Sequence, residues 1–271
     1  MDRRVLLIGF GNMGQALVRG WLERGIGPAL IHVVDPAEAA LAAAGKLGVG
    51  TSSTVDERAL AHRADAVIVA VKPQQVDDVV RSLMPLAAAG ALFVSIAAGK
   101  TIGSLTRVLG DDAAVVRAMP NTPAAIGRGM TVMTPSARVT AAQRALADEL
   151  LGAVGETAWI DDEASMDAVT AVSGSGPAYV FLLIECLTRA GIRAGLAPEL
   201  AEKLATVTVS GAGAYAERSG EPAGELRRRV TSPNGTTEAA LRVLMGEGGL
   251  DGLIERAVRA AAERSRELSG A

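Results

Sequence analysis

Val5-Leu6-Leu7-Ile8-Gly9-Phe10-Gly11-Asn12-Met13-Gly14 is the stretch on which the fold turns. Four apolar residues with no polar alternation predict a strand covered on both faces. A G-x-G-x-x-G follows, and then a helical pattern through Leu17 and Trp21. Alone, that glycine pattern is weak. Between a strand and a helix it is a dinucleotide-binding fingerprint. Gly9 permits the tight turn, Gly11 removes a side chain where a pyrophosphate meets backbone, and Gly14 lets the helix sit close to the strand. The helix start offers free amides and the positive dipole end to the phosphates. Phe10, Asn12 and Met13 complete the loop and join the glycines as candidate coenzyme residues.

The same alternation continues outward. Residues 30–34, 66–71, 92–96, 115–119, 130–133 and 156–160 read as strands, several of them followed by helical stretches. Repeated strand and helix argue for a doubly wound α/β sheet, Rossmann-like in class. Ligands of such sheets bind beyond the carboxyl ends of the strands. Those ends carry Val71-Lys72-Pro73, Ala97-Ala98-Gly99 and Met119-Pro120-Asn121-Thr122-Pro123. Val71, Lys72, Pro73, Ala97 and Ala98 are therefore candidate coenzyme contacts. Lys72 either reaches a phosphate or ribose hydroxyl or is a surface lysine before a helix. Asn121 either binds a carboxamide or substrate or holds its own turn.

Beyond Trp159 the pattern turns helical, at 165–172, 178–194, 198–217, 222–230, 236–246 and 250–268. Prolines open these segments and glycines close them. The boundary is expected near 160–163, giving a dinucleotide-binding domain over 1–161 and a helical domain over 162–271. Residues 178–187 and 205–216 are apolar or small over more than one helical face. Such helices must be buried, and a domain of about 110 residues has little interior to hide them. A dimer built on this half is expected. Two loops stand ahead of helices: Ser173-Gly174-Ser175-Gly176-Pro177 and Ser232-Pro233-Asn234-Gly235-Thr236-Thr237. Each is a simple helix cap or an anion site. Two of them beside a nucleotide domain favour a pocket for a small carboxylate.

The bulk numbers narrow the classes. With 27 basic and 30 acidic residues the net charge is −3, which gives no general attraction to nucleic acid. Arg227-Arg228-Arg229 reads as a solvated helix face. The one cysteine, Cys186, lies in an apolar run, reads as a core thiol, and fits a reducing cytoplasm. The N-terminal apolar stretch is too short for a signal segment, and no apolar run approaches the ~20 residues of a membrane span. His32 and His62 lack metal-ligand spacing and read as structural; no metal is expected. No Ser-His-Asp set or cysteine nucleophile suggests itself. A nicotinamide enzyme needs none if hydride transfer depends on positioning.

Taken together, Gly9–Gly14, Ala70-Val71-Lys72-Pro73-Gln74, Met119–Pro123, Ser173–Tyr179 and Val230–Thr237 occur in the order found in one family. The chain resembles the pyrroline-5-carboxylate reductases over nearly its whole length. The resemblance implies NAD(P)H-dependent reduction of 1-pyrroline-5-carboxylate to L-proline, the last step of proline synthesis. It implies a Rossmann domain and a helical domain that dimerises by interleaving helices, with dimers often forming larger rings such as a decamer. The amides near Gly235 and Thr236 would hold the substrate carboxylate, and the Thr237 hydroxyl would bond the imine nitrogen. Ser232, Asn234, Asn121 and Ser175 are further candidate substrate residues. Asn234 stands where the family usually has glycine. Asn tolerates positive φ, so the turn is expected to survive.

Asp35 bears on the coenzyme. It ends the second strand about 20 residues after the glycine motif, where an acid binds the adenosine ribose 2′-OH. Residues 36–44 contain no Arg or Lys to meet a 2′-phosphate. NADH is therefore expected to serve at least as well as NADPH. Asp35-Pro36-Ala37-Glu38 also reads as a capping box with proline at the first helical position; the two roles can coexist. Two other readings compete. A β-hydroxy-acid reductase would need a lysine in the helical half, where Lys203 stands alone and mid-helix. A redox sensor without chemistry would not need both the 173–179 and 232–237 segments.

Overall fold

The computed structural model describes residues 3–269. Eight strands form one sheet: β1 (Val5–Ile8), β2 (Ile31–Val34), β3 (Gly50–Ser52), β4 (Ala66–Val69), β5 (Leu92–Ser95), β6 (Ala114–Met119), β7 (Gly129–Pro135) and β8 (Gly155–Trp159). Their order is β3-β2-β1-β4-β5-β6-β7-β8. All neighbours run parallel except β6 and β7. Successive side chains of a strand face opposite ways, so a strand covered on both faces is apolar at nearly every position, His32 and Ser95 being the buried polar exceptions here. β1, β2, β4 and β5 are buried at every position. Val5, Leu7, Val33, Ile68 and Val94 join Trp21 in one core; Leu6, Ile8, Val67, Val69 and Phe93 build the other. Trp21 Nε1 donates to Leu150 O at 2.8 Å, tying the Asn12–Glu23 helix to the Ala141–Leu151 helix.

Strand order reverses between β1 and β4. Gly9 follows one strand and Val71 the other, so the glycine loop lies at the topological switch point where doubly wound sheets bind ligands. β3 escaped the sequence reading because Gly50-Thr51-Ser52 carries no apolar signal; it exists as an edge strand paired to β2. The antiparallel direction of β7 was equally invisible, since an apolar run reads the same in either direction.

Two compact units result. The first runs to Gly174 and takes in the chain again from Ala262; the second is Ser175–Ala261. Composition changes near 160–163, whereas the compact division falls at Gly174–Ser175. Residues 173–175 do not form a separate glycine turn, as the sequence suggested. Met166–Val169 is a short helix, Thr170–Gly174 a π-helical turn, and Gly176–Arg193 a long helix. Taken through, Glu163–Arg193 is one helical stretch of 31 residues that by length and composition could cross a membrane. The expectation that no segment has that length is corrected here: a π turn, not a break, joins the two apolar stretches.

Within the second unit the Gly176–Arg193 and Pro198–Ser219 helices pack against each other, with Ala201 and Ala205 buried between them. Phe181, Leu182, Leu183, Leu187, Val207 and Tyr215 remain exposed. Cys186 is exposed too, and takes an Arg189 Nη2 donor at 3.2 Å. It is not a core thiol of the single chain, because one helix hairpin cannot cover all its apolar faces.

Candidate active site

A groove of about 650 Å³ opens at the switch point. Gly9, Gly11, Asp35, Val71 and Lys72 line it, with Ser53, Thr54, Val55, Gln75 and Asp78. Lys72 is its only basic lining residue among the described residues. Asn12 and Met13 open instead on a smaller hollow with Gln15, Arg19, Thr122 and Ala125. Phe10 is buried in the core, and its carbonyl accepts from Gln15 Nε2 at 3.2 Å. Pro73, Ala97 and Ala98 lie off the groove lining; Pro73 opens a short 3-10 turn, Ala97 is buried and Ala98 exposed. Ser53–Val55 went unnoticed in the sequence because the strand that delivers them did.

The three loop glycines divide by cause. A Cβ on Gly9 would stand 2.7 Å from Ala70 O, and one on Gly14 2.4 Å from Gly9 O. Both are glycine because the chain packs there. A Cβ on Gly11 would meet no heavy atom within 4 Å. No packing in the protein requires its bareness, which is what close approach of a pyrophosphate requires. Gly11 also precedes the Asn12–Glu23 helix with no side-chain cap. The first-turn amides are thus open to an anion. These residues fit a dinucleotide.

Asp35 closes the loop from the other side. One carboxylate oxygen accepts from Phe10 N–H at 2.7 Å, the other from Ala37 N–H at 2.8 Å. The expected capping box does not form. The helix begins at Glu38 with Ala37 as its N-cap and no side-chain cap bond. Asp35 spends its oxygens on the glycine loop and its own turn, and each oxygen keeps a second lone pair towards the groove.

Asn121 is engaged on both sides of its amide. Its Oδ1 accepts from Met130 N–H at 2.9 Å, and its Nδ2 donates to Ser173 O and Oγ at 3.3 and 3.2 Å. Of the two roles open to it, holding the chain is the one these bonds describe. A Cβ on Gly174 would lie 2.4 Å from Met119 Cε, so the π turn sits tight on the end of β6. Ser175 opens the long helix without a side-chain cap bond.

In the second unit, Ser232-Pro233-Asn234-Gly235 forms the turn, closed by Gly235 N–H to Ser232 O at 3.0 Å. Asn234 has φ 59°, the left-handed conformation expected of it. Gly235 is the N-cap of the Thr236–Leu244 helix, with no side-chain cap. The Ser232, Thr236 and Thr237 hydroxyls have no protein partner among the described residues. Glu238 folds back to accept from Asn234 N–H at 2.5 Å. The helix start therefore already carries one carboxylate, which offsets part of the dipole's pull on a second anion.

A reversing parallel sheet, a groove at the switch point and a loop glycine that no packing requires are the marks of an NAD(P)-dependent oxidoreductase. A family profile described as "NADP oxidoreductase coenzyme F420-dependent" matches residues 4–99. One described as "Pyrroline-5-carboxylate reductase dimerisation" matches residues 163–268. The chain is 46% identical, over 98% of its own length and 97% of the relative's, to a pyrroline-5-carboxylate reductase of Pseudomonas aeruginosa. A solved pyrroline-5-carboxylate reductase from Coxiella burnetii superposes with TM-score 0.94 at 38% identity, covering 99% of both chains. The Plasmodium falciparum enzyme, solved with NADP bound, gives TM-score 0.84 at 29% identity, covering 99% of this chain and 98% of that one. The chain belongs to the pyrroline-5-carboxylate reductase family.

Proposed function

We infer that this chain reduces the cyclic imine 1-pyrroline-5-carboxylate to L-proline at the expense of a nicotinamide dinucleotide, the last step of proline synthesis. One pairing carries the reading. In a single member of this family, a dinucleotide groove at Gly9–Gly14 accompanies an uncapped helix start at Gly235 with partnerless threonine hydroxyls. When bound, the dinucleotide supplies a hydride to the imine carbon. Gly9, Gly11 and the first amides of the Asn12–Glu23 helix hold its pyrophosphate, and Lys72 adds positive charge. The amides of Gly235 and Thr236 hold the substrate carboxylate by directed hydrogen bonds, which must outweigh the nearby Glu238 charge. The Thr237 hydroxyl bonds the imine nitrogen. Its proton arrives with the iminium or by way of water at Thr237. Ser232 and Asn234 flank the carboxylate in this reading, and Ser175 is a further candidate contact; Asn121 is left to its own bonds with Met130 and Ser173.

The finer choices follow. Asp35 in the groove, with no arginine beside it, supports NADH as at least the equal of NADPH, because a 2′-phosphate there meets like charge. The exposed apolar faces of the Gly176–Arg193 and Pro198–Ser219 helices support a homodimer, and larger rings are its natural extension. Reduced Cys186 agrees with a cytoplasmic location. The test is coenzyme oxidation with pyrroline-5-carboxylate, run beside the reverse reaction with 3-hydroxy acids. Turnover on the imine and none on the hydroxy acids is expected. The opposite pattern would assign the chain to a different substrate.

A further inference from the structure

The loop that follows β5 is held from outside rather than by its own bonds. It runs Ile96-Ala97-Ala98-Gly99-Lys100-Thr101 into the Ile102–Leu109 helix. The bonds within it are long: Ala97 N–H to Ser95 Oγ and Lys100 N–H to Ala97 O are both 3.4 Å, near the limit of hydrogen-bond geometry. Its anchors are short. Lys100 Nζ donates to Asp77 Oδ1 at 2.6 Å. Glu163 Oε1 accepts from Ile102 N–H at 2.9 Å and from Arg117 Nη1 at 2.9 Å. Gly99 has φ 74°, and a Cβ on it would stand 3.1 Å from Leu268 O, so the Leu250–Ser269 helix ends against the loop. Arg117 is 5% exposed, in register with Ser95 on β5 and Thr134 on β7 inside the sheet. An apolar residue would serve the core at least as well, since a buried ion pair seldom gains on one. What the pair adds is a carboxylate fixed at the Ile102 amide.

We propose that Glu163 and Lys100 are positioning residues for the nicotinamide half of the coenzyme, fixing residues 97–99 as the platform on which the ring lies. The inference rests on the coenzyme reading of the groove. Strand order gives the direction. Asp35 takes the adenosine ribose at the end of β2, and Gly9–Gly14 the pyrophosphate beyond β1. An extended ligand continues the same way, past β4 to β5, the next strands in the sheet. There Ala97, Ala98 and Gly99 offer backbone and small side chains, outside the groove that Asp35 lines. A ring with no large side chain to hold it takes its place from the backbone, so that backbone has to be fixed beforehand. Glu163 touches neither ring nor substrate in this scheme. It acts through Ile102 N–H, and Arg117 holds it there.

Calorimetry with ADP-ribose and with NADH tests this, because the two ligands differ by the nicotinamide. The wild type should bind NADH more tightly than ADP-ribose. Lys100→Met removes one anchor and leaves the core alone. Arg117→Met with Glu163→Ala removes the other without stranding a buried charge. Both proteins should keep the wild-type affinity for ADP-ribose, bind NADH several-fold more weakly, and turn over with kcat lower by about tenfold or more. Arg117→Met with Glu163→Gln returns an acceptor to Ile102 N–H and should regain most of the NADH affinity. Equal weakening of both ligands would mark a general loss of structure and overturn the positioning role. So would wild-type NADH affinity in Lys100→Met or in Arg117→Met with Glu163→Ala, or no recovery with Glu163→Gln. Absence of ADP-ribose binding by the wild type would overturn the coenzyme reading of the groove itself, and this inference with it.

Discussion

At the scale of single residues, the glycines of the loop separate what folds the chain from what binds its ligand. Gly11→Ala should leave the thermal midpoint unchanged, because its Cβ enters open space, and should raise the coenzyme KM about tenfold or more. Gly14→Ala should lower the midpoint by several degrees, since its Cβ meets Gly9 O. Thermal melts beside coenzyme titrations separate the two; equal effects would make Gly11 merely structural. Asp35→Ser should shift the ratio of kcat/KM towards NADPH by removing like charge. An unchanged ratio would confine Asp35 to its bonds with Phe10 and Ala37. Thr237→Ala should lower kcat/KM by about 10- to 100-fold, the loss of a hydrogen bond of about 1.5–3 kcal/mol to a charged partner. Folding should hardly change, for the hydroxyl has no protein partner. Wild-type kinetics in a stable variant would remove Thr237 from the mechanism.

At the scale of elements, the sequence was most legible where burial dictated composition. β1 and β4 announce themselves as unbroken apolar runs because both faces are covered, and β2 and β5 nearly so, interrupted only by His32 and Ser95. β3 does not, since Gly50-Thr51-Ser52 carries no apolar side chain and is held by pairing to β2. With it the groove wall at Ser53–Val55 was lost, and so was Ser52, whose Oγ lies 2.9 Å from Nε2 of His32, which looked like a solitary structural histidine. The coenzyme loop was legible because its glycines sit at fixed offsets between a strand and a helix. Asp35 was found by position, but its local bonds were not: a side chain choosing between its own turn and the neighbouring loop leaves no periodic trace. Asn121 shows the same limit. The residue type marks a polar hub, while only coordinates reveal that Met130 and Ser173 occupy it. The 173–177 segment misled because Gly174 and Gly176 suggest a break, whereas Gly174 is there to admit Met119 and the helical path continues through a π turn.

At the scale of the whole molecule, apolar side chains left uncovered on the helical unit call for a second copy. Phe181, Leu182 and Leu183 lie along one long helix, and the residues matching the dimerisation profile include all of it. Sedimentation at low micromolar concentration should show a dimer or larger assembly, and Phe181→Glu should weaken it. A folded, stable wild-type monomer would defeat that expectation. The central claim joins the two halves of the chain: a groove shaped for a dinucleotide and a helix start shaped for a small carboxylate serve one reduction. The most direct measurement is steady-state turnover of 1-pyrroline-5-carboxylate with NADH and with NADPH, with L-proline measured as the product. The account predicts one L-proline formed per coenzyme oxidised, and kcat/KM with NADH equal to or above that with NADPH. No imine-dependent oxidation would contradict the assigned reaction, and a preference of more than about tenfold for NADPH would contradict the part given to Asp35.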